Sequence, residues 1–355
     1  MNSNPPPQLH VRSIHPDDIP ALHAIMSHPQ VAENGLHLYT TEYSDTQEAF
    51  QKSKPGLHQL VGVLDGQVVA YGLLRQNLRL RLRHTGEPGV YVHPDFWAQG
   101  IGTHLLEKLL DLAENWLNLW RLELQTFVDN SATIHMAEKF GFELEGVRRD
   151  AAFGHGRYHD IALYSRLQPP PSAQSRPASP PPIRPVHTKD ASHVIIRPAH
   201  PNDVDDLSGL WRNPLVARTT LQLPTQEVWA TRQRIGEAPP PGLHRLVAED
   251  NGRVIGMATI FQSQNPRQMH SAGLGMAVSP DYWGVGIGSR LMAAILDLAD
   301  NWLDLHRIEL EVNTDNPAAI RLYQKFGFQI EGTHRYHGFG DGRWADSHFM
   351  GRLKE

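Results

Sequence analysis

PDFWAQGIG, residues 94–102, recurs 186 positions later as PDYWGVGIG, residues 280–288. The same offset aligns residues 94–167 with residues 280–353, and about half of the aligned positions are identical. A fainter match upstream, such as Gly56-Leu57-His58 with Gly242-Leu243-His244, extends the repeat over most of the chain. Solenoid repeats recur every ~20–50 residues, so this period indicates a duplicated domain. The sequence therefore predicts two homologous domains.

Domain boundaries follow from length and composition. The 355 residues agree with two domains, each large enough to bury its own core. Residues 168–190 contain two runs of three prolines separated mainly by Ser, Ala and Arg, a composition that favours an extended spacer. We predict an N-terminal domain at residues 1–168, a proline-rich linker at 169–190 and a C-terminal domain at 191–355.

Composition narrows the classes of function. The net charge of -5 comes from interspersed signs, and without a basic stripe nucleic acid is not expected as a partner. No apolar run approaches membrane-spanning length and residues 1–9 are polar and proline-rich, so we expect a soluble, cytoplasmic protein without membrane attachment. The absence of cysteine excludes disulfides and a thiol nucleophile. His155 and His159 lack a third ligand, so no metal site is expected.

Hydrophobic periodicity predicts a mixed α/β (α+β) fold, in which each domain has a twisted mixed central β-sheet flanked by helices. In the second copy we predict strands at 194–197, 244–249, 254–261, 269–278, 307–312, 328–332 and 343–353, and helices at 203–212, 226–235, 288–303 and 316–326. Glycines 338, 340 and 342 predict the turn between the last two strands. Trp116, Trp302, Phe140 and Phe326 are expected on buried helix faces.

The most specific local feature is a strand, a glycine-containing loop and a long helix at residues 276–303. The strand ends at Val278, and Gly286 and Gly288 precede or open the helix, where backbone N–H groups are free at the positive end of the dipole. Glycine permits positive φ and close approach of an anion to the main chain. Gly100 and Gly102 repeat the arrangement. The loop predicts a diphosphate site, with a tight turn without ligand as the alternative.

These residues resemble the GNAT N-acetyltransferases, whose acetyl-CoA loop is Arg/Gln-x-x-Gly-x-Gly/Ala after a Val-x-Pro strand end. Both copies carry tryptophan, Trp97 and Trp283, where that pattern has Arg or Gln. Residues 316–328 also match the family's Asn-x-x-Ala-x-x-x-Tyr-x-Lys-x-Gly-Phe helix. The resemblance implies a tandem duplication of GNAT domains with acetyl-CoA as acyl donor. It implies these cofactor contacts: Ala277, Val278, Trp283, Gly284, Val285, Gly286, Ile287, Gly288, Asn316, Ala319 and Tyr323 in the second copy, and Val92, Gln99, Gly100, Ile101, Gly102 and Asn130 in the first.

Transfer of an acetyl group to an amine needs a neutral amine, a stabilised oxyanion and a proton for the departing thiolate. The resemblance implies that Tyr323 is the general acid and that the oxyanion faces main-chain N–H groups near Ala277 and Val278. For the base we favour Glu311, because strand alternation places it with Arg307 and Glu309 on one face. Glu309 is the alternative base.

The two copies differ at these catalytic positions. Tyr323 corresponds to Ala137, and Glu311 corresponds to Gln125, whereas the loop glycines are kept. An alanine cannot donate a proton and a glutamine does not titrate, so the first copy is expected to bind CoA with reduced or absent catalysis. The alternative is drift at tolerant positions, with Glu123, which corresponds to Glu309, available as a base in the first copy.

The sequence thus predicts an acetyl-CoA-dependent N-acetyltransferase that acts on a primary amine, by direct transfer in a ternary complex. The acceptor is a small amine, an amino acid or a peptide N-terminus. The motif Gly342-Arg343-Trp344-x-Asp346 is similar to a branch of the family that acetylates free amino acids and related small amines, or else stabilises a hairpin. Two alternatives are a mycothiol-synthase-like tandem acetyltransferase and a non-catalytic acyl-CoA-binding regulatory or scaffold protein. A pseudo-dimer of the two domains and a homodimer of the chain are both left open.

Overall fold

The computed structural model describes residues 8–51, 54–169, 191–236 and 238–354. The chain divides into two compact units, one built almost entirely from residues before 176 and the other almost entirely from residues after it. Most of the predicted linker, residues 170–190, lies outside the described residues.

The first unit is a mixed sheet with helices packed on it. Its strands are β1 His10–Ser13, β2 Leu57–Leu64, β3 Gln67–Gln76, β4 Thr85–Val92, β5 Arg121–Phe127, β6 Glu143–Gly154 and β7 Arg157–Leu167. Its helices are α1 Ile19–Met26, α2 Pro29–Glu33, α3 Tyr43–Gln51, α4 Ile101–Asp111 and α5 Ser131–Lys139. The strands run in the order β1-β2-β3-β4-β5-β7-β6. The β4–β5 pair is parallel, and the other neighbours in this order are antiparallel.

The second unit repeats this architecture. Its strands are β8 Ile195–Pro198, β9 Leu243–Asp250, β10 Arg253–Gln262, β11 Ser271–Val278, β12 Arg307–Asn313, β13 Gln329–Gly340 and β14 Arg343–Leu353. Its helices are α6 Val204–Arg212, α7 Pro214–Thr219, α8 Val228–Gly236, α9 Ile287–Asp297 and α10 Pro317–Lys325. The order is β8-β9-β10-β11-β12-β14-β13, with β11–β12 as the parallel pair. The predicted fold class is confirmed in both units.

The long helix of each unit packs its apolar face on the sheet, as the sequence predicted. In α9 that face includes Leu291 and Ile295, which are fully buried. They belong to the same core as Ile308, Leu310 and Val312, the alternate residues on one face of β12. Because β12 has a side-chain period of two, Glu309 and Glu311 project from its other face.

The expectation that Trp116 and Trp302 are buried is wrong. Both are exposed, at 77% and 78%, because each long helix ends in a π-helical turn, Leu112–Trp116 and Leu298–Trp302. In these turns Leu117 N–H donates to Leu112 O and Leu303 N–H donates to Leu298 O. The extra residue rotates the end of the helix, so a tryptophan in register with the apolar stripe points outward.

The last hairpin is longer than the sequence predicted. Strand β13 continues to Gly340, and Gly338 and Gly340 pair with Ala345 and Arg343 instead of forming the turn, which lies at residues 341–342. The full length of β13 could not be predicted from the sequence, because the strand is irregular after His334, where its register with β14 shifts. A second difference from the prediction is helix α7, which the sequence did not indicate.

Candidate active site

The loop before α9 has the backbone geometry of an anion site. Gly286 is the N-cap of α9 with φ of 91°, so the positive φ predicted for the loop is confirmed there, whereas Gly288 is not among the glycines with positive φ. Gly284, for which no such prediction was made, has φ of 81°. A Cβ placed on Gly286 would meet no protein atom within 4 Å. The N–H groups of the first turn of α9 have no intrahelical acceptor and lie at the positive end of the dipole. The loop can therefore hold an anion against its main chain.

Gly288 has a packing role that the sequence did not reveal. A Cβ there would lie 3.1 Å from Cδ2 of Leu322 on α10 and 3.8 Å from Sδ of Met276 on β11. The missing side chain therefore lets α10 approach the start of α9 closely. This contact brings the two sequence motifs together, because α10 carries the predicted site residues Ala319 and Tyr323.

The tryptophan that departs from the family pattern closes the base of the loop. The indole Nε1 of Trp283 donates a hydrogen bond of 2.8 Å to the carbonyl oxygen of Val278, the last residue of β11. In the first unit Trp97 donates in the same way to Val92 O at 2.7 Å. Each bond ties the loop to the strand end from which it departs, so the tryptophan fixes the loop instead of offering a side chain to the anion.

Asn316 and Asn130 cap the helices α10 and α5. The Oδ1 atom of Asn316 accepts from Ala319 N–H at 3.2 Å, and that of Asn130 accepts from Thr133 N–H at 3.1 Å. The cap predicted at the start of α10 is confirmed, with Pro317 as its first residue. Since the carbonyl oxygen of each amide is used by the cap, the Nδ2 group is the part that can donate to a ligand.

Tyr323 lies in the core between α10 and the sheet. It is 8% exposed, and its ring centroid is 6.0 Å from that of Phe328. Burial raises the pKa of its phenol to about 12. Among the described residues none forms a hydrogen bond with its hydroxyl. A proton donor at neutral pH must be protonated, and its hydroxyl must not be held in another hydrogen bond. The matching residue of the first unit, Ala137, is fully buried.

The two parallel strands diverge beside this tyrosine. Among the described residues the β11–β12 pairing covers Ser271 to Gly273 with Arg307 to Glu309, although both strands continue beyond it. Tyr323 shares a core cluster with Leu310 and Val312, whereas Glu311 projects from the opposite face of β12. A group seated between the diverging strands would therefore be open to Tyr323 on one side and to Glu311 on the other.

The structure separates the two candidate bases. The guanidinium of Arg307, whose side chain is 1% exposed, lies 3.3 Å from Oε2 of Glu309 and 2.5 Å from Oε2 of Glu331. Arg121 makes the same contacts to Glu123 and Glu145 in the first unit. Both copies therefore have glutamate at this position because Glu309 and Glu123 each form an ion pair with a buried arginine. Glu311 lies outside the pair and is 49% exposed.

Two histidines accompany Glu311 that sequence analysis did not identify. Nε2 of His337 lies 3.5 Å from Oε2 of Glu311, and Nε2 of His334 lies 4.0 Å from Oε1. Residues three apart on a regular strand face opposite ways, but β13 has two extra residues between the pairs His334–Ser347 and Gly338–Ala345. This bulge places both imidazoles on the side of Glu311.

Asp346 holds the bulge in place. Its Oδ1 atom accepts from the backbone N–H of Tyr336, at 2.6 Å, and Tyr336 has φ of 53°. The hairpin interpretation of the tail motif is therefore the one this contact supports. A signal for the histidines was present in the comparison of the copies, because Glu311, His334 and His337 are replaced together by Gln125, Arg148 and Ala151.

In residues 8–51, 54–169, 191–236 and 238–354, His, Asp and Glu form no group of three or more that could hold a metal ion. Every helix in those segments is too short or too polar to cross a bilayer.

Comparisons with known proteins all indicate the same family. The model of the acetyltransferase (GNAT) family matches twice, over residues 22–142 and 210–328. The L-amino acid N-acetyltransferase AaaT of Escherichia coli (strain K12) is 36% identical over 46% of this chain and 99% of its own length. Phosphinothricin N-acetyltransferase of Alcaligenes faecalis is 31% identical over 44% of this chain and 81% of its own. N-alpha-acetyltransferase RimI of Mycobacterium tuberculosis (strain ATCC 25618 / H37Rv) is 36% identical over 33% of this chain and 70% of its own length.

Proposed function

The chain belongs to the acetyltransferase (GNAT) family and is an N-acetyltransferase, and from this premise we propose that its second unit transfers the acetyl group of acetyl-CoA directly to a primary amine. The observation that carries the proposal is the position of Tyr323 and Glu311 on opposite faces of the sheet, beside strands that diverge. The first unit differs at both positions, which supports assigning the stronger activity to the second.

The residues of the second unit fit the diphosphate and pantetheine arm of CoA. The open side of Gly286 and the free N–H groups at the start of α9 suit a diphosphate, and Nδ2 of Asn316 can donate to the arm. Bound acetyl-CoA supplies the activated acetyl group. Gly100 and Asn130 offer the same elements in the first unit, so we propose that this unit also binds CoA.

The proposed catalytic roles follow from the placement of Glu311 and Tyr323 on opposite faces of the sheet. Glu311, with His337 beside it, accepts the proton that the ammonium form of the acceptor must lose. Main-chain N–H groups near Ala277 and Val278 face the oxyanion. As the amine nitrogen bonds to the acetyl carbon, the carbon–sulfur bond breaks and Tyr323 donates its proton to the sulfur. A protonated imidazole at 3.5 Å would stabilise the Glu311 carboxylate electrostatically, which is the role we propose for His337.

For the acceptor we propose a free amino acid. The support for this class is the relative with 36% identity over 99% of its own length, which is named for L-amino acids. Small polyamines and peptide N-termini are the competing classes, since other relatives are named for spermidine and for N-alpha acetylation.

A thiol-release screen of the intact chain tests the proposal. Acetyl-CoA would be supplied with each of the common L-amino acids, spermidine or an alanine-terminated peptide, and free CoA would be measured. We expect release with one or more L-amino acids, and its loss in Glu311→Gln. Release with spermidine or the peptide alone would reject the amino acid class, and equal turnover by Glu311→Gln would reject the site.

A further inference from the structure

The loop before α9 has an anchor at its first residue, next to Trp283. The side chain of Tyr282 is buried, and its hydroxyl donates a hydrogen bond of 2.5 Å to Oδ2 of Asp250. The backbone N–H of Tyr282 donates to the carbonyl oxygen of Ser279 at 2.9 Å. Burial and the bond to Asp250 raise the pKa of the phenol to about 12, so it remains a donor at neutral pH. Both ends of this tyrosine are therefore fixed.

Asp250 lies at a turn that also contacts helix α6. It is the last residue of β9, and Asn251, with φ of 49°, follows it in the turn to β10. Oδ1 of Asp250 accepts from Nδ2 of Asn251 at 3.0 Å. Just beyond the turn, the N–H of Val254 donates to Oδ2 of Asp206 on α6 at 2.8 Å, and Nε of Arg253 lies 3.7 Å from Oδ1 of Asp206. The turn thus connects α6 to the loop.

We call this set of side chains the Asp250 bridge, and it consists of Asp206, Arg253, Asp250 and Tyr282. The loop that it reaches is packed on both faces of the sheet. Tyr282 belongs to the core cluster that contains Ala258, and Trp283 packs against the cluster that contains Met257 and Leu207 of α6. Because neighbouring residues of β10 face opposite ways, the two aromatic side chains lie on opposite faces.

The first unit has different side chains at all four positions of the bridge. Asp206 corresponds to Ala21 and Arg253 to Gln67, whereas Asp250 corresponds to Leu64 and Tyr282 to Phe96. None of these four residues is charged, and phenylalanine has no hydroxyl to donate. The backbone of the turn is nevertheless the same, since Asp65 repeats the positive φ of Asn251 at 49°. The units therefore differ in the bridge while sharing the turn.

We propose that the Asp250 bridge positions the loop before α9 for acetyl-CoA, so that Asp250 and Asp206 contribute to cofactor affinity from outside the binding site. The inference rests on the proposed function, in which this loop holds the diphosphate, and it adds the residues that hold the loop itself.

The composition of the loop explains why an anchor matters in the second unit. Gly284 corresponds to Ala98, which has φ of 60°. Glycine has more backbone freedom than alanine and loses more of it on ordering. A loop that is held at Tyr282 before the ligand arrives has less freedom left to lose, and such preorganisation favours affinity. The second unit thus combines the more flexible loop with the bridge.

The variants that test the bridge are taken from the first unit. Tyr282→Phe removes the hydroxyl and Asp250→Leu removes its acceptor, whereas Asp250→Asn keeps an oxygen that can accept from Tyr282. Tyr71→Phe is a matched control, because Tyr71 is a buried tyrosine of the first unit whose hydroxyl donates to Gln59 at 2.8 Å.

Calorimetry of the intact chain with CoA measures binding, and steady-state kinetics measures KM for acetyl-CoA. We expect Tyr282→Phe and Asp250→Leu each to raise the dissociation constant at the second unit about five- to tenfold, as for loss of one hydrogen bond. Each should raise KM for acetyl-CoA more than it lowers kcat. Asp250→Asn should lie closer to wild type, and the double variant should be no weaker than the weaker single variant, because both changes remove the same bond.

CoA binding by the wild type that Tyr282→Phe leaves unchanged, or that Tyr71→Phe weakens equally, overturns this inference alone. A wild-type chain that binds no CoA overturns the proposed function with it. If circular dichroism shows that Tyr282→Phe is unfolded, Asp206→Ala decides, because it leaves the loop residues in place: weaker CoA binding supports the bridge, and unchanged binding overturns it.

Discussion

Nε2 of His337 on β13 lies 3.5 Å from Oε2 of Glu311, which projects from the face of β12 that Tyr323 does not occupy. The proton acceptor and the proton donor of the proposed reaction are therefore separated by the sheet itself. Such a division prevents direct proton exchange between them and leaves the gap between β11 and β12 as the place where both can reach one substrate.

Replacement of Glu311 tests the proposed base. Glu311→Gln should lower kcat/KM about 100-fold or more, the usual range for loss of a general base, while acetyl-CoA affinity changes little. Steady-state kinetics and calorimetry with CoA measure the two quantities. Glu107→Gln is a matched control, because Glu107 has a similar exposure and lies on α4 of the first unit. An equal loss in both variants would contradict a catalytic role.

The Glu311–His337 contact predicts coupling between the two residues. If they act as one unit, His337→Asn and Glu311→Gln should each lower kcat, and the double variant should be little slower than Glu311→Gln alone. Rates of the four proteins give the coupling free energy. Strictly additive effects on the activation free energy would show that the imidazole acts independently of the carboxylate.

Tyr323→Phe removes the proposed proton donor. It should lower kcat while the dissociation constant for acetyl-CoA stays within about twofold, because the ring and its core packing are kept. Since the pKa of Tyr323 is raised to about 12, its phenol stays neutral below that pH. A decline in wild-type activity between pH 9 and 10 should therefore persist in the variant. Unchanged kcat in Tyr323→Phe would remove the residue from the mechanism.

The indole hydrogen bond at the base of each loop should affect CoA binding. Trp283→Phe keeps an aromatic ring but loses the bond to Val278, and we expect the dissociation constant for CoA at the second unit to rise by about three- to tenfold, as for loss of one neutral hydrogen bond. Trp97→Phe is the matched variant for the first unit. If calorimetry finds two CoA sites, each variant should weaken one of them. Equal weakening of both sites by one variant would be contrary to this expectation.

Acid stability should depend on one ion pair in each unit. Hydrogen bonds from Arg12 lower the pKa of Asp18; for Asp203 burial opposes the shift, but bonds from Arg197 and the His200 N–H lower its pKa overall. A carboxylate with a lowered folded pKa stabilises the fold above its unfolded pKa, about 3.9, and this contribution disappears as pH falls through the folded value.

Asp18→Asn and Asp203→Asn should therefore each cost about 1–3 kcal/mol of unfolding free energy at pH 7. The difference from wild type should shrink below about pH 4, where the unfolded carboxylate takes up its proton. Urea denaturation followed by circular dichroism at pH 7 and pH 3.5 measures this change. A difference that stays constant over that range would contradict the linkage.

The repeat, the two sheets and the loop before α9 could be predicted because each depends on local signals. The spacing of apolar residues defines a helix face. Glycine at the start of α9 indicates a backbone with positive φ, which the structure confirms at Gly286. The packing of Gly288 against Leu322 could not be predicted, because it depends on how closely two helices approach. The same holds for Arg307, whose partner Glu331 lies on another strand.

The features that sequence analysis missed arise from irregular backbone. The bulge in β13 places His334 and His337 together against the ordinary alternation of a strand, and the π-helical turns move Trp116 and Trp302 out of the apolar stripe.

The widened turn at the end of the long helix occurs at the same position in both units, Leu112–Trp116 and Leu298–Trp302. Because the aligned copies are about half identical, a shared irregularity of this kind is what duplication of a single unit would leave behind. The side chains at Gln125 and Glu311, and at Ala137 and Tyr323, by contrast differ between the copies. The scaffold is therefore common to the two units, whereas the side chains proposed for catalysis are not.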